Sequence, residues 1–159
     1  MAQLATLFTL WVEMSKSTQK SKIDRTGDRF ELTRGSHARE TAEDYVEAIA
    51  RLIEEKGTCR GVDLAKLFQV TQVTVSKTLS RLQSEGLVDY EPYGPISLTK
   101  SGATMASYAR VRLEVVLEFL RSIGVSEEIA QVDAEGIEHH VSPETLEAFR
   151  TIARRKGTC

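Results

Sequence analysis

The sequence predicts a mostly α-helical protein in which a winged helix-turn-helix domain is followed by an all-helical domain. Three observations predict it. Apolar residues recur at helical spacing through most of the chain after Thr41. Two short helical patterns are separated only by Gln69 to Gln72, and an apolar strand, a proline- and glycine-bearing tip and a second apolar strand follow at once.

The elements are expected in the following order. Ser15 to Glu40 is Ser, Thr, Lys, Arg and Asp with few apolar residues, so residues 1–40 are expected to form a flexible N-terminal arm. Thr41 and Asp44 have the spacing of a capping box, and Tyr45, Ile49, Leu52 and Ile53 follow on one helical face. The first ordered helix is therefore expected to start near Thr41 and to stop at Gly57. Val62 to Phe68 carries Leu64, Ala65 and Leu67; the next helix places Val75, Leu79 and Leu82 on one face and is closed by Gly86. Leu87, Val88 and Tyr90, then Pro92, Gly94 and Pro95, then Ile96 and Leu98 read as strand, tip and strand, which completes a winged domain over residues 41–100. In residues 101–159 a long helix is expected from Ser101 to Leu120, carrying Met105, Tyr108, Leu113, Val116, Leu117 and Leu120 and closed by Gly124. A short helix from about Ser126 to Val141 comes next. Ser142 and Pro143 then start a last helix bearing Leu146, Phe149 and Ile152.

Composition narrows the function classes. The 159 residues are 41% hydrophobic and 28% charged, the balance of a chain with enough apolar surface to fold. A net charge of -2 gives no overall attraction to nucleic acid or anionic membrane, so any such binding must come from a local patch. The longest apolar stretch, Leu4 to Val12, falls short of the roughly 20 residues a membrane helix needs. No lysine or arginine precedes it and no small-residue cleavage site follows it, so no secretory signal is expected. Cys59 and Cys159 have no CxxC partner, which excludes a disulfide framework and a cysteine zinc site and points to the cytoplasm.

The second helix of the helix-turn-helix carries the candidate nucleic-acid contacts. With Val75 inward, 100 degrees per residue turns Val73, Ser76, Lys77 and Ser80 outward, and Thr71 and Gln72 sit at the helix N-terminus, where phosphates bind. Lys77 and Arg81 can pair with phosphates and Gln72 can read a base edge. A polar helix face alone is more often a solvated one. The wing that follows shifts the balance toward DNA, although a winged helix also serves as a protein-interaction module. Cations between 61 and 100 are limited to Lys66, Lys77, Arg81 and Lys100, and the arm adds Lys16, Lys20, Lys22 and Arg25.

The segment Asp133-Ala134-Glu135-Gly136-Ile137-Glu138-His139-His140 carries the chemistry. Glu135, Glu138 and His139 are spaced i, i+3 and i+4, so two carboxylates and an imidazole share a helical face and can converge on a cation. Such a face is also compatible with a solvated surface. A second pair, Asp44 and Glu47, is spaced i, i+3 on the first helix.

Taken together, Asp44-Tyr45-Val46-Glu47, the winged helix, Phe119-Leu120-Arg121-Ser122-Ile123-Gly124-Val125 and Glu135-Gly136-Ile137-Glu138-His139-His140-Val141-Ser142 resemble the diphtheria toxin repressor family over roughly residues 36–155. The manganese-responsive members match best. The resemblance implies a homodimeric, metal-activated repressor of manganese uptake genes that binds palindromic double-stranded operator DNA, with no membrane partner. It makes residues 101–159 the metal-binding and dimerisation domain and leaves no SH3-like third domain. It also implies Asp44, Glu47, Glu135, Glu138 and His139 as metal ligands, the ion bridging the DNA-binding and dimerisation domains. One position departs from the family pattern. Where the family has a histidine serving a second ion, this chain has Leu113.

The implied donor set has no thiolate or thioether, which suits Mn(II), while Fe(II), Co(II) and Zn(II) also fit such donors in vitro. Four carboxylates gathered without metal repel one another, and an ion that removes the repulsion would fix the two recognition helices of a dimer for half-sites about 34 Å apart. Two readings compete with a manganese-responsive repressor: an iron-responsive repressor of the same family, and a metal-dependent hydrolase built on the same carboxylate and histidine site. A hydrolase gains no support from a nucleophile elbow, an HExxH motif or a phosphate loop, so no enzyme is expected. A winged helix used only for protein contacts would show no salt-dependent DNA affinity.

Overall fold

The structure is a computed structural model that describes the backbone of residues 29–156 and the side chains of residues 37–155. The apolar stretch Leu4 to Val12, the basic residues Lys16, Lys20, Lys22 and Arg25, and Cys159 lie outside the described residues. Among those described there are six helices, α1 (Arg29–Lys56), α2 (Gly61–Leu67), α3 (Gln72–Ser84), α4 (Lys100–Ser122), α5 (Glu127–Glu138) and α6 (Pro143–Lys156). Three short strands accompany them: β1 (Cys59–Arg60), β2 (Val88–Asp89) and β3 (Pro95–Leu98). The chain divides into two compact units, with the boundary inside α4 between Ser107 and Tyr108.

The first unit is the winged helix-turn-helix. Tyr45, Val46, Ile49 and Leu52 of α1, Leu64 of α2, and Val75, Leu79 and Leu82 of α3 are buried in one core with Leu87, Val88 and Ile96. Each helix buries the stripe its periodicity marks, which is where the burial energy of such small elements comes from. Tyr45 and Phe68 stack with ring centroids 4.6 Å apart. The sheet order is β1-β3-β2, all antiparallel, with Cys59 opposite Ile96 and Val88 opposite Leu98. At the wing tip Tyr93 takes a φ of 65° and Gly94 N donates to Glu91 O at 3.0 Å.

Two expectations need correction here. Helix α1 starts at Arg29, not near Thr41, so the C-terminal part of the expected arm is helical. Arg39 pairs with Glu43 and His37 with Glu40 along the helix, and these charged residues are good helix formers that need no apolar face of their own. Thr41 is therefore no N-cap; its hydroxyl donates to His37 O at 2.8 Å. Strand β1 was also not expected, because two residues after Gly57 carry no alternation.

The second unit packs α4, α5 and α6. Val111, Val115, Val116 and Leu120 of α4 are buried with Ala130 and Ala134 of α5 and Leu146 of α6, and Leu113, Leu117 and Phe149 pack against them. Phe119 and Phe149 stack at 4.0 Å. Helix α5 is shorter than expected and ends at Glu138, with His139 as its C-cap. Ser142 caps α6, its Oγ accepting from Thr145 N at 3.1 Å.

Candidate nucleic-acid interface and metal ligands

Helix α3 divides as its periodicity requires. Val75, Leu79 and Leu82 are buried, while Thr71, Gln72, Val73, Ser76, Lys77 and Ser80 are all exposed. Thr71 is the N-cap, and its side chain accepts from Thr74 N at 3.2 Å, so the helix start is fixed by a residue on the candidate face itself. Val73 is 64% exposed, an apolar surface of the size that packs on a thymine methyl group. Ser80 Oγ donates to Ser76 O, and Ser76 Oγ accepts from Tyr90 OH. Arg81 does not join this face. Its guanidinium donates to Ala38 O at 3.1 Å and lies 3.6 Å from Glu85, so it ties α3 to α1. Tyr93 at the wing tip is 96% exposed, a candidate contact that the pattern of apolar residues did not mark. The signal available was an aromatic residue beside glycine in a hairpin tip, where it has no core to reach.

The candidate ligands fall on both units. In the first, Asp44 is exposed and Glu47 half-buried, one turn apart on α1. Their neighbour Glu43 is buried, with Oε1 3.1 Å from Arg39 Nε, and was not singled out because it lies three residues before the fully buried Val46, on what reads as core. In the second, Glu138 continues the buried line Ala130, Ala134, Glu138 of α5, a position where an apolar residue would be ordinary. Its carboxylate is held on both sides: Arg112 Nε donates to Oε2 at 2.6 Å, and His139 Nε2 lies 3.0 Å from Oε1. Glu135 is exposed on the same helix, and His140 is exposed beyond its end. Thus Glu138 and His139 are brought together, and Glu135 stays on the solvent side.

The donors fit a divalent cation. A buried carboxylate oxygen and an imidazole nitrogen converge within hydrogen-bond distance, and hard oxygen with borderline nitrogen is a set for Mn(II), Fe(II) or Zn(II). A thiolate is not available from Cys59: burial first, then the nearby Asp63 charge, pushes its thiol up to about 11, so it stays protonated at neutral pH.

The fold and these residues define a winged-helix DNA-binding protein that carries carboxylate and histidine metal donors. A profile for the iron dependent repressor, N-terminal DNA binding domain, matches residues 37–96, and one for the iron dependent repressor, metal binding and dimerisation domain, matches residues 99–159. The transcriptional regulator MntR of Escherichia coli O6:H1 is 44% identical over 142 residues, 89% of this chain and 92% of that protein. MntR of Salmonella typhimurium is 44% identical over 143 residues, 90% and 91% of the two chains. A solved structure described as a manganese-dependent transcriptional repressor in complex with manganese superposes with a TM-score of 0.62 at 28% identity, covering 74% of this chain and 53% of that one. The chain belongs to the iron-dependent repressor family, the family of the diphtheria toxin repressor. It is a transcriptional regulator with DNA-binding and dimerisation domains, and the hydrolase reading falls. Among the described residues no helix is long and apolar enough to cross a membrane.

Proposed function

We propose that the protein is a manganese-responsive homodimeric repressor of manganese uptake genes that acts in the cytoplasm on palindromic operator DNA. The observation that carries the metal half is the pairing of buried Glu138 with His139, a carboxylate and an imidazole with no sulfur donor. Support for manganese over iron comes from the two MntR relatives at 44% identity. The proposed ligands are Asp44 and Glu47 from the DNA-binding domain and Glu135, Glu138 and His139 from the dimerisation domain. When bound, the ion supplies the positive charge that offsets the mutual repulsion of these carboxylates. Ligands contributed by both domains make DNA affinity depend on metal, with a coupling of about 1 to 3 kcal/mol, roughly 5-fold to 150-fold.

The DNA half of the proposal assigns Thr71, Gln72, Val73, Ser76, Lys77 and Ser80 to the interface. Lys77 pairs with a phosphate, Gln72 reads a base edge and Thr71 presents the helix N-terminus to the backbone. The test is operator binding by fluorescence anisotropy, with DNA upstream of the source organism's manganese transporter, titrated with Mn(II), Fe(II) and Zn(II). Activation by Mn(II) at the lowest free concentration of the metals the cell holds supports the proposal. Activation by Fe(II) but not Mn(II) replaces it with the iron-responsive reading.

A further inference from the structure

Arg112 is a charged residue on the buried face of α4, at 5% exposure, where its neighbours Val111, Val115 and Val116 form the core. A guanidinium is retained in such a place only with close partners, and Glu138 Oε2 is one, at 2.6 Å from Arg112 Nε. The other oxygen of the same carboxylate, Oε1, faces His139 Nε2. The two oxygens thus have separate tasks: one is occupied by an internal cation, the other stands with the imidazole.

We propose that Arg112 is a positioning residue for the metal centre, its hydrogen bond to Oε2 orienting the Glu138 carboxylate so that Oε1 stands beside His139 Nε2. The inference rests on the assignment of Glu138 and His139 as ligands. The terminal torsion of a glutamate is broad and two-fold, so an untethered carboxylate could offer either oxygen or both. Carboxylates bind cations in one-oxygen and two-oxygen modes, and the choice sets coordination number. The Arg112 hydrogen bond orients the carboxylate before metal arrives. Partners of this outer kind are commonly worth 10-fold to 100-fold in metal affinity.

The experiment compares wild type, Arg112→Gln, Arg112→Lys and Glu138→Gln as full-length dimers. Mn(II) affinity is measured by calorimetry, the bound ion by electron paramagnetic resonance, and the metal-free fold by thermal unfolding. Glu138→Gln tests the ligand assignment itself; wild-type Mn(II) affinity in that variant removes the site and the inference together. With the site upheld, Arg112→Gln is expected to bind Mn(II) 10-fold to 100-fold more weakly with a changed Mn(II) spectrum. Arg112→Lys, which keeps the charge but not the directed planar donor, is expected to fall between and supplies the comparison if Arg112→Gln does not fold. Unchanged affinity and spectrum in the folded variants overturn the inference, as does tighter binding, which would make Arg112 a competitor of the ion.

Discussion

The hydroxyl of Tyr90 donates to Ser76 Oγ across 3.2 Å, joining the wing to the exposed face of α3. Ser76 thereby uses its acceptor side within the protein and keeps its own proton for a phosphate or base. Tyr90→Phe removes only this bond, since the ring still packs against the core. The expected cost in stability is about 1 kcal/mol or less, together with a lower ratio of operator to random-sequence affinity. Anisotropy titrations with both DNAs check it; an unchanged ratio would mean that Ser76 needs no orientation from the wing.

Lys77 is exposed on the same face, where a single cation is best matched to a phosphate. Lys77→Ala should weaken specific and random-sequence binding alike and reduce the salt slope of log K by about one unit. The slope is read from affinities at several salt concentrations, and a wild-type slope would place Lys77 off the interface.

The winged domain was legible in the sequence because its helices bury the positions that period and glycine marked, as Val75, Leu79 and Leu82 do. The start of α1 was not, because the pairs just before and around Thr41, Arg39 with Glu43 and His37 with Glu40, are polar and mark no apolar stripe. At the site, Glu138 and His139 were legible from their spacing. Arg112 was not, since a cation beside Leu113 on α4 reads as surface until the fold puts Glu138 against it. Long-range pairing of polar groups leaves no local periodicity to find.

Gly102 shows how closely the start of α4 approaches the wing. A Cβ there would lie 2.0 Å from Leu87 O, a backbone atom that cannot swing aside, and Thr99 ties the same corner by accepting from Gly102 N and donating to Gly86 O. Gly102→Ala should therefore destabilise the winged domain by roughly 3 kcal/mol or more. Chemical denaturation followed by circular dichroism reads the effect. A loss below 1 kcal/mol would mean that the corner opens freely.

Glu138→Ala should abolish metal-activated DNA binding, since it removes a proposed ligand. It should also destabilise the dimerisation domain, because it removes the carboxylate from a buried ion pair with Arg112, at a cost of about 3 kcal/mol. A polar site on a helix surface would have allowed the first effect without the second. Thermal unfolding without metal separates them, and an unchanged melting temperature in Glu138→Ala would show that the ion pair contributes nothing.

Leu113 stands where the family's second ion would need an imidazole, and it packs against the core that contains Val116 and Leu120. A leucine has no lone pair, and its apolar volume excludes the water that could replace a missing ligand. Its neighbour Glu114 is exposed, directed away from that core. The expected outcome is one tightly bound Mn(II) per subunit, with any second ion weak or absent, and Glu47 the ligand left with least support. With the proposed ligands Asp44, Glu135, Glu138 and His139 still in place, repression is expected to persist but to respond less steeply to metal. Leu113→His should restore the second ion and sharpen Mn(II) activation of operator binding, at some expense in stability from placing a polar ring against the apolar core. Calorimetry on the unaltered chain decides: two equally tight Mn(II) ions per subunit would show that another group, water or Glu114, completes the second site.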